Sequence, residues 1–244
     1  MDDEKDKKII TSPYYSLEQL KKHSSLAKRG LRDLNILPEI QTLIVKMKEE
    51  CFAGNFQECI NLCDEILKSI PAYSEPLYKN EIFFYKCACL SYLNKYEEAI
   101  IWIDKALEYY PDDKEFFHLK ANCFYSLSNY EEALKWYNKD SENYYEKATC
   151  LYSLGNYEES LKWYDKVIEN WSGNIPTPNG FLGRVNMFYN KASCLYHLNR
   201  YEEALVWFDK ALEKNPEYQL TGSLQEDCLE DKAVCLKMLG RKHV

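Results

Sequence analysis

The stretch "KASCLYHLNRYEEALVWFDKALEKNP", Lys191 to Pro216, decides how this chain folds. It holds a cysteine, a histidine, two adjacent glutamates and an aspartate, the ingredients of an active site, yet its spelling recurs. "KCACLSYLNKYEEAI" occupies 86–100, "KANCFYSLSNYEEAL" 120–134 and "KATCLYSLGNYEESL" 147–161. "KAVCLKMLGRK" begins at 232, and a divergent copy, "KMKEECFAGNFQECI", fills 46–60. A catalytic site is normally built once, whereas a stacking unit is built repeatedly. Within each copy the apolar and small residues fall at helical spacing on both sides of a polar break such as "LNR" or "LGN", which describes two helices joined by a tight turn. The paired glutamates open the second helix, where negative charge complements the helix dipole. Four such pairs at one repeat position read as helix starts rather than as acid/base machinery.

These residues resemble the tetratricopeptide repeat (TPR) family, whose 34-residue unit carries small residues at positions 8, 20 and 27, an aromatic near 24 and a proline at 32. From Val185 to Tyr218 these are Ala192, Ala204, Ala211, Phe208 and Pro216. Asn80 to Asp113 supplies Cys87, Ala99, Ala106, Ile103 and Pro111, and Ile40 to Tyr73 supplies Met47, Cys59, Ile66, Cys63 and Pro71. The resemblance covers residues 40 to 244 and implies an all-α fold, a right-handed superhelix (α-solenoid) of TPR-like helical hairpins. It also implies five hairpins within 40–224: 40–73, 80–113, a shortened 114–140, 141–174 and 185–218, with 225–244 as a capping helix.

The chain departs from the family pattern in places. Repeat position 7, usually leucine, is Lys86, Lys120, Lys147, Lys191 and Lys232, so the stem is expected to pack while the ammonium reaches water. Position 4 holds Phe83, Phe117, Tyr144 and Phe188 in place of tryptophan. Tyr130 and Tyr157 are 27 residues apart, seven short of the period, which predicts a second helix two turns shorter. "NIPTPNGFLG" at 174–183, punctuated by proline and glycine, is expected to form an exposed loop. Residues 1–15 read as a disordered tail, and "SLEQLKKHSSLAKRGLRDL" from Ser16 as an amphipathic helix over 16–38 with a basic polar side.

The totals narrow the function classes. Among 244 residues there are eight glycines and eight prolines, which suits helices, and a net charge of −8 opposes binding to nucleic acid or to an acidic membrane surface. No run of apolar residues is long enough for a secretory leader or a membrane helix, so the expectation is a soluble cytoplasmic protein with reduced thiols. Cys89, Cys123, Cys150, Cys194 and Cys235 recur at position 10, where a small apolar residue fits between helices. Cys59 and Cys63 are one turn apart, at ligand spacing, yet fall at core positions. His23, His118, His197 and His243 are scattered, and there is no glycine-rich phosphate loop. The sequence therefore calls for no catalytic residue, cofactor or metal.

The resemblance places function in a concave groove lined by first helices at positions 2, 5, 6, 9 and 12. Here those positions supply rings, Phe84, His118, Tyr145, Tyr189, Tyr125, Tyr152 and Tyr196, beside the small polar groups Asn122, Thr149, Asn190 and Ser193. Glu81, Glu115, Glu142, Asp227, Glu146 and Asp231 make the groove acidic. The expected partner is a protein or peptide, basic or aromatic-bearing. Some family members hold the terminal carboxylate of chaperone tails with lysine, arginine and asparagine at positions 2, 5, 6 and 9; positions 2 and 6 supply no base in the units starting at Lys114, Ser141, Val185 and Glu226, so such a tail is a poor fit. Self-association, with the basic N-terminal helix occupying the groove, is the alternative.

Overall fold

A computed structural model describes residues 38–70, 76–140, 143–170, 175–177, 180–182, 184–213 and 222–240. The expected tail and amphipathic helix lie outside the described residues, apart from Pro38 at the start of the first helix. Eleven helices follow among the described residues: α1 Pro38–Phe52, α2 Phe56–Ser69, α3 Pro76–Tyr92, α4 Tyr96–Tyr109, α5 Lys114–Ser126, α6 Tyr130–Tyr137, α7 Tyr144–Ser153, α8 Tyr157–Glu169, α9 Arg184–His197, α10 Tyr201–Leu212 and α11 Ser223–Met238. Where the proline- and glycine-rich segment suggested a plain loop, β1 Ile175–Thr177 pairs with β2 Gly180–Leu182 in a two-stranded ribbon. No helix of the described residues is long and apolar enough to cross a membrane.

Each hairpin turn uses one device. The residue after the turn leucine or alanine adopts a left-handed backbone: Gly54 (φ 81°), Asn94 (58°), Ser128 (59°), Gly155 (75°) and Asn199 (57°). The amide of the following residue then reaches back five residues, as Asn55 N–H to Glu50 O at 2.9 Å and Arg200 N–H to Leu195 O at 2.9 Å. That pair of features satisfies the carbonyls orphaned at the end of the first helix and reverses the chain within three residues. The Tyr-Glu-Glu run begins the second helix at once, with its glutamates in the first turn.

The chain divides into two compact units, with the boundary between Asp140 and Ser141. In the first, α1–α5 bury one core built from Met47, Cys59, Ile66, Phe84, Cys87, Ala99, Ile103, Ala106 and Phe116. In the second, α7–α11 bury another around Ala148, Tyr164, Met187, Ala192, Ala204, Phe208 and Ala211. The small repeat residues lie where helices approach most closely; at zero exposure, none tolerates a larger side chain without displacing its neighbours.

Successive hairpins are joined by a polar rung that corrects the expectation for three of the five position-7 lysines. Lys86 is 2% exposed, and Lys120 and Lys147 are buried, so these side chains are largely withdrawn from water, whereas Lys191 and Lys232 are half-buried. Lys86 bonds Asp64 of the preceding hairpin and stands 3.3 Å from the Trp102 ring centre. Lys120 likewise bonds Asp104 and sits 4.0 Å over Trp136, and Lys191 bonds Asp165 and sits 3.7 Å over Trp207. Lys232 bonds Asp209 at 2.6 Å. A carboxylate and an indole face replace the hydration that burial removes, which is why a cation is tolerated there. A second lysine covers each indole, Lys105, Lys139, Lys166 and Lys210, at 3.9 to 4.2 Å. Position 4 completes the layer, with Phe83, Phe117, Tyr144 and Phe188 each 5.4 to 6.0 Å from the tryptophan of its own hairpin.

Candidate interaction surface

Exposure divides the expected groove residues into those that hold the stack together and those a partner can touch. Phe84 has no exposure, and Tyr145, Tyr152 and Tyr189 are buried. Asn122, Thr149, Asn190 and Ser193 are buried too. His118, Tyr125 and Tyr196 are half-buried and carry the accessible rings.

The buried members are tied into internal bonds. Tyr137 donates its hydroxyl to Asn122 Oδ1, and His118 meets the Tyr137 ring edge to face at 5.6 Å. Asn190 Nδ2 donates to the Tyr145 hydroxyl at 3.2 Å. The Thr149 and Ser193 hydroxyls return to carbonyls of their own helices, Glu146 O at 2.9 Å and Tyr189 O at 3.0 Å. Glu81, expected as a groove acid, is 2.6 Å from Lys48 Nζ and buried, so its charge is neutralised inside the first unit.

A second set of rings, missed from the sequence because it joins first and second helices, gathers at the turn edge of the second unit. His197 stacks face to face on Tyr157 at 4.5 Å, accepts or donates a hydrogen bond with the Tyr152 hydroxyl at 2.8 Å, and meets Tyr196 edge on at 5.2 Å. Tyr196 then contacts Tyr201 at 6.0 Å. The first unit repeats the central stack with Phe56 on Tyr92 at 4.5 Å. The sequence signal is confined to two units: Tyr92 follows the position-12 residue Ser91 and His197 follows Tyr196, whereas Ser126 and Ser153 stand at the same place in the units between.

Carboxylates meet one of the expected groove rings, the buried Tyr189. Tyr189 donates its hydroxyl to Asp231 Oδ2 at 3.1 Å, and burial together with Asp231 and Asp227 pushes that phenol well above its usual range. Asp227 and Asp231 are four residues apart on α11 and so share a face. Tyr196 lies seven residues after Tyr189 on α9, two turns along the same face. The second unit thus sets two half-buried carboxylates on α11 and the half-buried Tyr196 ring on the neighbouring α9.

The profile described as "Tetratricopeptide repeat" matches residues 140–217, and that described as "Anaphase-promoting complex, cyclosome, subunit 3" matches 92–167, so that together they span 92–217. Residues 140–217 thus match the tetratricopeptide repeat family. Among solved structures it is similar to a tetratricopeptide repeat protein from Parabacteroides merdae ATCC 43184, with TM-score 0.65 and 17% identity over 83% of this chain and 74% of that one. It is also similar to YrrB, described as a TPR protein with an unusual peptide-binding site, with TM-score 0.53 and 19% identity over 71% of this chain and 86% of that one. The MamA RS-1 ArsTM double mutant gives TM-score 0.60 and 14% identity over 72% and 94%. At these identities the likeness establishes the fold. A search of the curated proteins finds no significant match.

Proposed function

We propose that this protein is a noncatalytic adaptor whose helical hairpins capture a peptide or partner helix bearing basic and aromatic side chains. The observation that carries the proposal is on the second unit: Asp231 and Asp227 on α11 act on Tyr189 of α9, and the half-buried Tyr196 ring stands two helical turns further along α9. A lysine or arginine of a ligand finds carboxylates and ring faces there at once, and its alkyl stem finds the rings. Tyr189 contributes through Asp231, holding the carboxylate in place, rather than by direct contact. A net charge of −8 favours the encounter with a basic segment and works against an acidic chaperone tail.

Panning a displayed peptide library on the full chain tests this. The expected result is enrichment of lysine-, arginine- and aromatic-bearing sequences whose affinity falls with salt and drops about tenfold or more in the double variant Asp227→Asn, Asp231→Asn. Enrichment of acidic peptides, or undiminished affinity in the double variant, contradicts the proposal.

A further inference from the structure

Three thiols that serve no role in the interaction surface converge in the first unit. Cys51 ends α1, Cys59 lies in the first turns of α2 and Cys89 comes from α3 of the next hairpin, so the group forms only when two hairpins stack. Their sulfurs all lie within 4.8 Å of one another, and Cys51 and Cys89 Sγ are 3.7 Å apart. All three have 0% exposure.

Packing alone does not call for this. At the next interface the corresponding residues are Ser91, Ala99 and Cys123, and at another they are Tyr152, Ser160 and Cys194. Both are close-packed, with Ser91 Oγ 3.3 Å and Ser160 Oγ 3.4 Å from the remaining sulfur. Serine and alanine satisfy the same geometry elsewhere in the molecule, whereas the first interface spends cysteine at all three places. The spacing also has a chemical meaning. A cation bonded to three sulfurs at about 2.3 Å holds them about 3.8 Å apart at tetrahedral angles and about 4.0 Å apart in a plane. The triad thus needs a contraction of at most about 1 Å.

The geometry points to a metal site: Cys51, Cys59 and Cys89 bind one thiophilic closed-shell cation, with three-coordinate Cu(I) the best match to an all-sulfur set of three. Soft thiolates select Cu(I) and Zn(II) over the harder divalent ions. Cys63 follows Cys59 by one helical turn on α2, a spacing that offers a fourth sulfur should the ion be Zn(II). Each thiol that joins the ion gives up its proton to solvent, so binding weakens as pH falls.

Anaerobic titration of the reduced full chain with Cu(I), supplied as its acetonitrile complex against a chromophoric Cu(I) chelator, tests the site, with a parallel arm using Zn(II). One equivalent retained after desalting, with thiolate-to-Cu(I) charge-transfer absorption, is expected. The variants Cys51→Ser and Cys59→Ala copy residues already accommodated at the neighbouring interface; they should keep the helical circular dichroism and lose at least tenfold in affinity. Cys194→Ala, in the other unit, should retain the full equivalent. Retention of Zn(II) with the same variant pattern supports the site and assigns it the four-sulfur form. Failure to retain either ion, or equal retention by Cys51→Ser and Cys59→Ala, overturns the proposal.

Discussion

Lys86 shows how single residues hold neighbouring hairpins together. Its side chain is 2% exposed, while that of its partner Asp64 is 40% exposed. Removing either partner therefore has unequal consequences. Asp64→Ala leaves a buried cation with only the Trp102 face, and the expected loss is about 2 kcal/mol, less than the roughly 3–5 kcal/mol for a fully buried broken pair. Lys86→Met leaves a carboxylate that water can reach and fills the same space, so the expected loss is below about 1 kcal/mol. Urea unfolding of both variants checks the order; a costlier Lys86→Met would mean that the aspartate, not the lysine, bears the burial.

The thiols make a second residue-scale prediction. Burial pushes Cys123 and Cys235 up to about 11 and Cys194 and Cys228 to about 12, from an ordinary value of 9.0. The folded chain keeps these protons where the unfolded chain has lost them, so the stabilisation is complete below pH 9 and is lost as pH rises towards 11 and 12. The slope is about 1.4 kcal/mol per pH unit for each such thiol. Urea midpoints should be lower at pH 10 than at pH 8, and Cys194→Ala should flatten the difference; equal midpoints would contradict this account.

At the scale of elements, the turns are where local chemistry and stability meet. Asn94 and Asn199 tolerate the left-handed backbone and also accept hydrogen bonds from the Tyr96 and Tyr201 hydroxyls, at 2.7 and 2.6 Å. Ser128 occupies the same conformation between α5 and α6. A β-carbon there costs about 1 kcal/mol, partly offset by the larger entropy glycine loses on folding. Ser128→Gly should raise the stability of the first unit by about 0.5 kcal/mol, read as a higher urea midpoint, while Asn94→Gly should gain less because the Tyr96 bond goes with it. Helix α6 has eight residues where α4 has fourteen, and Asn138 stands at the repeat position that Asp64, Asp104, Asp165 and Asp209 fill elsewhere. The shortened element thus lacks the acidic half of a rung at the end of the first unit.

For the whole molecule, periodicity alone carried the fold class. The small residues Ala99, Ala106, Ala192, Ala204 and Ala211 announce close helix approach, and each is fully buried. What the sequence hid was the state of its polar groups. A lysine at a core position reads as a snorkelling side chain until the aspartate 22 residues earlier and the tryptophan 16 later are seen to close around it. Similarly, position within a repeat cannot tell a groove ring from a core ring: Phe84 and Tyr145 share a register position with His118, yet only the histidine is half-exposed. The thiol triad escaped notice because its third member comes from another hairpin, and sequence spacing reports only Cys59 and Cys63.

The central claim, that accessible rings beside carboxylates on the second unit receive the ligand, is tested most directly by photocrosslinking. A benzoylphenylalanine is placed at position 196 and, separately, at position 109, where Tyr109 is 53% exposed on the first unit. With a basic, aromatic-bearing peptide selected on the wild-type chain, crosslinking is expected from position 196, suppressed by the Asp227→Asn, Asp231→Asn variant, and absent from position 109. Crosslinking from position 109 with none from position 196 would contradict the account.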